Sequence, residues 1–166
     1  MAVTPRLCIV DASVLIDLEH GGLVEEIFQL PYIWAAPDAV IEEVGESLGA
    51  LLIRWGLKKI NLEEDEVNEV LRLRGSYKQI SLSDLFCLVS ATVRRTTLVT
   101  GDGPLRRSAI QGGLKVRGTL WILDELVKNQ LVTGKKAAES LDRMINAGGR
   151  FPKEECTKRM NLWLTE

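Results

Sequence analysis

A short apolar run that ends at a carboxylate constrains the fold of this chain more than any other stretch. Residues 7–10 favour a β-strand, Asp11 follows them directly, and a helical pattern begins at about Ser13. A strand that is apolar throughout is typically buried on both faces, as in a parallel sheet covered by helices. Asp11 would then lie at the carboxyl end of the sheet, which is the edge where α/β proteins bind ligands.

Strands and helices alternate along the chain until the pattern changes to helices alone at residue 119. The apolar and β-branched runs predict five short strands, at residues 7–10, 32–36, 57–62, 96–100 and 114–116. We therefore expect a three-layer α/β/α sandwich around a mainly parallel central sheet. Residues 1–128 would form the main domain, and residues 129–166 a C-terminal helical extension that packs on it.

Composition limits the classes of function. The 166 residues carry a formal net charge of −2, so an anionic substrate would need a local basic patch or bound metal ions. Three widely spaced cysteines and a single histidine, His20, argue against a zinc site and against a histidine-activated nucleophile. The chain shows neither a signal-peptide pattern nor an apolar run of membrane-spanning length, so we expect a cytoplasmic protein without a membrane partner.

Acidic residues recur where predicted strands end and helices begin. Asp11 ends the first strand, Asp84 opens the most regular helix, and Asp102 follows the fourth strand after one glycine. A fourth carboxylate is expected from Glu42 or Glu43, just after the second strand. In a parallel sheet these junctions share one edge, so the side chains can converge. Crowded carboxylates repel one another unless a cation neutralises them, and Mg²⁺ and Mn²⁺ prefer oxygen ligands. The pattern predicts a metal site that activates water for attack at phosphorus.

Each acid also has a simpler interpretation. Asp84 could cap its helix or interact with the helix dipole, and the Gly-Asp-Gly-Pro sequence around Asp102 is typical of a turn. Phosphoryl transfer through an aspartyl-phosphate is a second enzyme class that begins with an aspartate after the first strand. A phosphatase of this class would require another aspartate where Ser13 stands. A receiver domain would require a downstream lysine, and no such lysine is evident after Thr100. The shared position of the acids favours the metal site.

Four motifs together resemble PIN-domain ribonucleases, in particular the branch related to the VapC-type toxins of prokaryotic toxin–antitoxin systems. The resemblance covers approximately residues 6–125, and residues 117–120 with the helices beyond them are similar to the tail of one PIN subgroup. In order, the motifs are the first strand with Asp11-Ala12-Ser13-Val14-Leu15-Ile16, then Pro37-Asp38-Ala39-Val40-Ile41-Glu42-Glu43-Val44, then Ser83-Asp84-Leu85, and finally Leu98-Val99-Thr100-Gly101-Asp102.

The resemblance implies an endoribonuclease that uses Mg²⁺ or Mn²⁺ to hydrolyse RNA phosphodiester bonds. Asp11 would be the central metal ligand, and the catalytic site would be completed by Glu43, Asp84 and Asp102. Glu43 is preferred to Glu42 because the family's glutamate precedes an aliphatic residue. A small antitoxin protein and a second copy of the chain are the implied partners. A housekeeping RNA-processing nuclease and a non-catalytic PIN-fold binding module are the alternatives.

Further residues are expected around this site or outside it. Ser13 and Thr100 match small polar residues of the family and would orient the metal ligands, although a helix cap and a strand end are alternative roles. Arg106 and Arg107 are candidates for phosphate contacts. The four tryptophans occur in apolar contexts, which favours core packing or an interface over base stacking. Asp17 is expected outside the site, because more than one helical turn separates it from the sheet edge.

Overall fold

The computed structural model describes residues 4–165, and a five-stranded parallel sheet lies at its centre. The strand order is β3-β2-β1-β4-β5, and every neighbouring pair is parallel. Helices cover both faces, which confirms the predicted α/β/α sandwich. The strands are β1 (Arg6–Val10), β2 (Tyr32–Pro37), β3 (Lys58–Ile60), β4 (Thr97–Val99) and β5 (Val116–Arg117).

The helices follow the expected alternation. Between β1 and β5 they are α1 (Ala12–His20), a 3₁₀ turn (Glu26–Gln29), α2 (Asp38–Glu43), α3 (Glu46–Trp55), α4 (Glu64–Ser76), α5 (Leu82–Arg94) and α6 (Gly103–Gln111). Three more helices follow β5: α7 (Thr119–Lys128), α8 (Gly134–Asn146) and α9 (Lys153–Thr165). In the part of the chain that the structure describes, no helix is long and apolar enough to cross a bilayer.

The position of β1 in the sheet creates a place for a site. β1 lies between β2 and β4, so the chain proceeds from β1 to β2 and β3 on one side and later to β4 and β5 on the other. Such a reversal leaves a crevice at the carboxyl ends of β1 and β4. The register pairs Val10 with Val99, and therefore Asp11 and Thr100 leave the sheet side by side.

The C-terminal helices pack on the body of the protein. α8 contacts α1 and α7, and α9 contacts α7 and α8. The carbonyl of Gly21 accepts hydrogen bonds from Ser140 Oγ (2.6 Å) and Arg143 Nη2 (2.8 Å). A Cβ atom at Gly21 would lie 2.4 Å from the side chains of Ser140 and Met144. Glycine at this position therefore permits the close approach of α8 to the end of α1.

Candidate functional site

Asp11 is the most deeply buried acid of the site, with 1% of its surface exposed. Its backbone N–H donates to the carbonyl of Val99 (3.1 Å), which continues the sheet by one bond. Its Oδ1 accepts hydrogen bonds from Ser13 Oγ (2.9 Å) and the Val14 N–H (3.0 Å), so Asp11 caps α1. Its Oδ2 accepts a hydrogen bond from the Thr100 hydroxyl. These donors fix the carboxylate and leave about one of its four acceptor positions for a cation.

Asp102 follows β4 and is joined to Asp11 through Thr100. The Asp102 N–H donates to Thr100 Oγ1 (3.0 Å), and the hydroxyl of Thr100 donates to Asp11. Asp102 Oδ2 accepts a hydrogen bond from the Leu105 N–H (2.9 Å) and caps α6. The sequence around Asp102 indicated a turn, and in the structure this turn ends in a helix cap that the Asp102 side chain provides. The cap occupies one oxygen, and the residue still lines the cleft described below.

Asp84 and Glu43 come from α5 and α2. Ser81 caps α5 by accepting a hydrogen bond from the Asp84 N–H (3.2 Å), so Asp84 takes part in the cap through its backbone. Glu43 Oε2 accepts a hydrogen bond from Ser83 Oγ (2.7 Å), which ties the end of α2 to the start of α5. Glu43 is among the described residues that line the cleft, whereas Glu42 is not.

The ionisation of Asp84 and of Asp11 is disfavoured by burial and by neighbouring carboxylates. Burial raises the pKa of Asp84 from 3.8 to about 7, and the negative charges of Asp11, Asp102 and Glu43 also contribute. Burial likewise raises the pKa of Asp11, with a smaller contribution from Asp102. Carboxylates that repel one another in a half-buried crevice favour the binding of a cation.

Asp84, Asp102 and Glu43 line a cleft of about 880 Å³. Its lining includes Ser13 and Thr100 as well as these three acids. The start of α7, residues 148–152 in the loop between α8 and α9, and Glu155 and Arg159 of α9 also line it. The C-terminal extension therefore contributes directly to the walls of the cleft.

Contrary to expectation, Asp17 lines this cleft as well. The loop between α8 and α9 closes over α1, and a Cβ atom at Gly149 would lie 3.3 Å from Asp17 Oδ1. Burial raises the pKa of Asp17 from 3.8 to about 6, and the charge of Asp11 adds to this effect. Periodicity along α1 could not reveal a wall that is contributed by a loop more than a hundred residues away.

Arg106 and Arg107, the two candidates for phosphate contacts, lie in different cavities. Arg106 lines the acidic cleft beside Gly118, whereas Arg107 lines a separate pocket near residues 76–80. Arg117 and Arg150 line the cleft although neither was expected to contact phosphate. The sequence did contain a signal for Arg117, because it ends the last strand and so lies at the same edge of the sheet as Asp11.

The donor set suits a hard divalent cation. Asp11, Asp84, Asp102 and Glu43 offer only carboxylate oxygens, the ligands that Mg²⁺ and Mn²⁺ prefer. Within residues 4–165, no three histidine, cysteine or acidic side chains already converge as a complete ligand set. Mg²⁺ usually keeps several waters and binds through one or two carboxylates, so a pair of these acids is sufficient.

Comparison with known families identifies the fold. Residues 7–164 match the family DUF3368, described as a PIN domain. No match was found among curated proteins. PIN domains are generally nucleases and typically use divalent metals. The matched region includes every strand but the first residue of β1, all the cleft residues named above and nearly all of the C-terminal helices. The chain therefore belongs to the PIN-domain family.

Proposed function

We propose that this PIN domain is an endoribonuclease that hydrolyses RNA phosphodiester bonds with the help of Mg²⁺ or Mn²⁺. One observation carries the proposal: Asp11 is buried and held by three donors at the reversal point of the sheet. Asp84, Asp102 and Glu43 lie around the same cleft. All-oxygen sites of this kind support hydrolysis at phosphorus without a histidine or cysteine nucleophile.

The acids would hold the metal, with Asp11 as the central ligand and Asp84, Asp102 and Glu43 around it. Bound metal would supply a Lewis acid and lower the pKa of a coordinated water for in-line attack on the phosphodiester. In the resembling ribonucleases the product carries a 5′-phosphate.

Three neighbouring side chains support this arrangement. Ser13 and Thr100 would orient Asp11 through the hydrogen bonds that they donate to its two oxygens. Arg106 lines the same cleft and would bind a substrate phosphate, which offsets the repulsion between RNA and the acids.

The decisive variant is Asp11→Asn. Asparagine caps helices as well as aspartate does, so the variant is expected to fold. We expect it to lose at least about 100-fold in cleavage of a fluorescent RNA, since it removes the central ligand. Asp142→Asn is the matched control, because Asp142 is exposed on α8 and does not line the cleft. Full activity of Asp11→Asn with Mg²⁺ or Mn²⁺ would refute the mechanism.

We also propose that the nuclease is the toxin of a toxin–antitoxin pair, with an antitoxin that covers the acids and a homodimer as the active form. The support for this is the resemblance of the four acidic motifs to the VapC-type branch. Expression of the wild-type protein should arrest growth, and expression of Asp11→Asn should not. Equal growth of both strains would instead favour a housekeeping RNA-processing nuclease, and absence of cleavage under all metal conditions would favour a binding module.

A further inference from the structure

A second and smaller pocket adjoins the acidic cleft. This amino-edge pocket has a volume of about 190 Å³ and lies near the first residues of β1, β2 and β4. Its polar lining includes Arg6, Lys115 and Arg117. Arg117 and Trp121 line both the pocket and the acidic cleft, so these two side chains lie between the two cavities.

The amino-edge pocket concentrates positive charge in a protein whose formal net charge is −2. Of the residues that the structure describes, three cations and a single carboxylate, that of Glu125, line it. Among the described residues, no salt bridge of 4.0 Å or less involves Arg6, Lys115 or Arg117. Glu125 Oε2 instead accepts a hydrogen bond from the Tyr32 hydroxyl (2.7 Å). Within residues 4–165 these three cations therefore form no ion pair, and the pocket is suited to an anion.

An aromatic cluster places Arg117 between the two cavities. The guanidinium carbon of Arg117 lies 5.8 Å from the ring centroid of Trp121, within the range of a cation–π contact. Trp121 packs in turn against Tyr32 and Trp34, with centroid distances of 5.2 and 6.5 Å. These contacts together restrict the ring of Trp121.

The two cavities are separated by a distance that one strand of nucleic acid can span. Cys8 lines the amino-edge pocket and precedes Asp11 by three residues along β1. At about 3.3 Å per residue, their Cα atoms are about 10 Å apart. A polynucleotide whose scissile phosphate is at Asp11 would place a phosphate a few nucleotides away near the amino-edge pocket.

We propose that the amino-edge pocket binds a backbone phosphate of the same RNA strand that the acidic cleft cleaves, with Arg117 between the two sites. The nuclease would then prefer single strands that are long enough to reach both. This inference rests on the proposed function. RNA is favoured over an acidic protein segment because the pocket adjoins the hydrolytic cleft and shares Arg117 and Trp121 with it, and because arginine beside an aromatic ring suits nucleotides.

The test compares two double variants in the Asp11→Asn background, where RNA is bound without being cleaved. Arg6→Gln with Lys115→Gln removes two exposed cations of the pocket, and Arg74→Gln with Lys158→Gln removes two exposed cations elsewhere. Each pair lowers the net charge equally, so general electrostatic attraction is matched. Affinity is measured for oligouridylates of increasing length, starting from a dinucleotide, at several salt concentrations.

We expect the pocket variant to bind long oligouridylates at least about threefold more weakly than the control variant. Each lost phosphate contact also reduces the slope of log affinity against log salt by about 0.7 for a single strand. The difference between the two variants should be smaller for the dinucleotide, since its single phosphate cannot occupy both sites at once. Equal affinities at every length would overturn the proposal.

Two further outcomes also count against it. If the pocket variant weakens binding of a polyglutamate peptide and leaves RNA binding unchanged, the pocket accepts an acidic protein segment. If the protein with Asp11 intact cleaves no RNA with any divalent metal, the proposed function fails, and this inference fails with it. Cleavage by that protein, together with equal affinities of the two double variants, would refute the phosphate pocket alone.

Discussion

We expect Asp84→Asn to stabilise the protein above neutral pH while it abolishes hydrolysis. The pKa of Asp84 is raised from 3.8 to about 7, chiefly by burial and then by the charges of Asp11 and Asp102. The folded state therefore binds more protons than the unfolded chain between about pH 4 and 7. Wild-type stability should fall as the pH rises through this window, and asparagine, which does not ionise, removes that loss.

The size of the effect follows from the two pKa values. Raising the pKa from 3.8 to about 7 corresponds to at most about 4 kcal/mol of lost stability at high pH, at 1.36 kcal/mol for each tenfold change. Because Asp84 reaches the open cleft, solvent screening reduces this to about 1–2 kcal/mol. The charge of Asp84 also lies in the first turn of α5, where its interaction with the helix dipole stabilises the folded state by about 0.5 kcal/mol. The net gain on substitution is about 1 kcal/mol.

Urea unfolding at pH 4.5 and pH 8 without divalent metal measures this gain. The free energies of unfolding should be similar at pH 4.5, and Asp84→Asn should be about 1 kcal/mol more stable at pH 8, or about 2–4 °C higher in Tm. Asp142→Asn, which changes an exposed carboxylate, should follow the wild type at both pH values. A variant that is less stable than the wild type at pH 8 would show that the acidic cluster does not cost stability.

Three further outcomes are expected. Mg²⁺ at about 100 times its Kd should stabilise the wild type by about 2.7 kcal/mol, measured as a rise in Tm, and should stabilise Asp84→Asn by much less. An equal rise in Tm for the two proteins would place the ion elsewhere. Thr100→Val should lower kcat by about 10–100-fold because Asp11 loses a hydrogen-bond donor, whereas Thr100→Ser should retain most of the activity. Equal rates for the two variants would contradict the role of Thr100 in orienting Asp11. Arg94→Met should destabilise the fold by about 3 kcal/mol at pH 7, because Glu66 accepts two hydrogen bonds from Arg94 (2.7 and 3.3 Å) that hold the pKa of Glu66 low. The loss of stability should shrink as falling pH protonates Glu66. A loss that stays constant with pH in urea unfolding would argue against an electrostatic cause.

The parallel sheet and the common position of the acids could be predicted from the sequence because both depend on local patterns. An apolar run followed by Asp11, and a β-branched run followed by Asp102, each place an acid at a strand end. Parallel pairing then brings the two strand ends together, as the register of Val10 with Val99 shows. The same local logic located Asp84 at the start of a helix.

The part of the cleft that residues 148–152 form could not be predicted because it depends on tertiary packing. These residues line the cleft because α8 packs on the end of α1, and that contact depends on the absence of a side chain at Gly21. Helical periodicity indicates which face of α8 is apolar, but it does not indicate which element of the fold that face packs against. The placement of Asp17 in the cleft follows from such packing, whereas Arg106 and Arg107 diverge because consecutive residues of a helix point about 100° apart.

The position of the loop between α8 and α9 has a consequence for the order in which the protein is made. The acids from Asp11 to Asp102 leave the ribosome first, whereas residues 148–152 are added after all of them. A nascent chain that has folded its sheet but lacks this loop would display the acids in an open groove. Formation of the finished cleft is thus tied to completion of the last two helices.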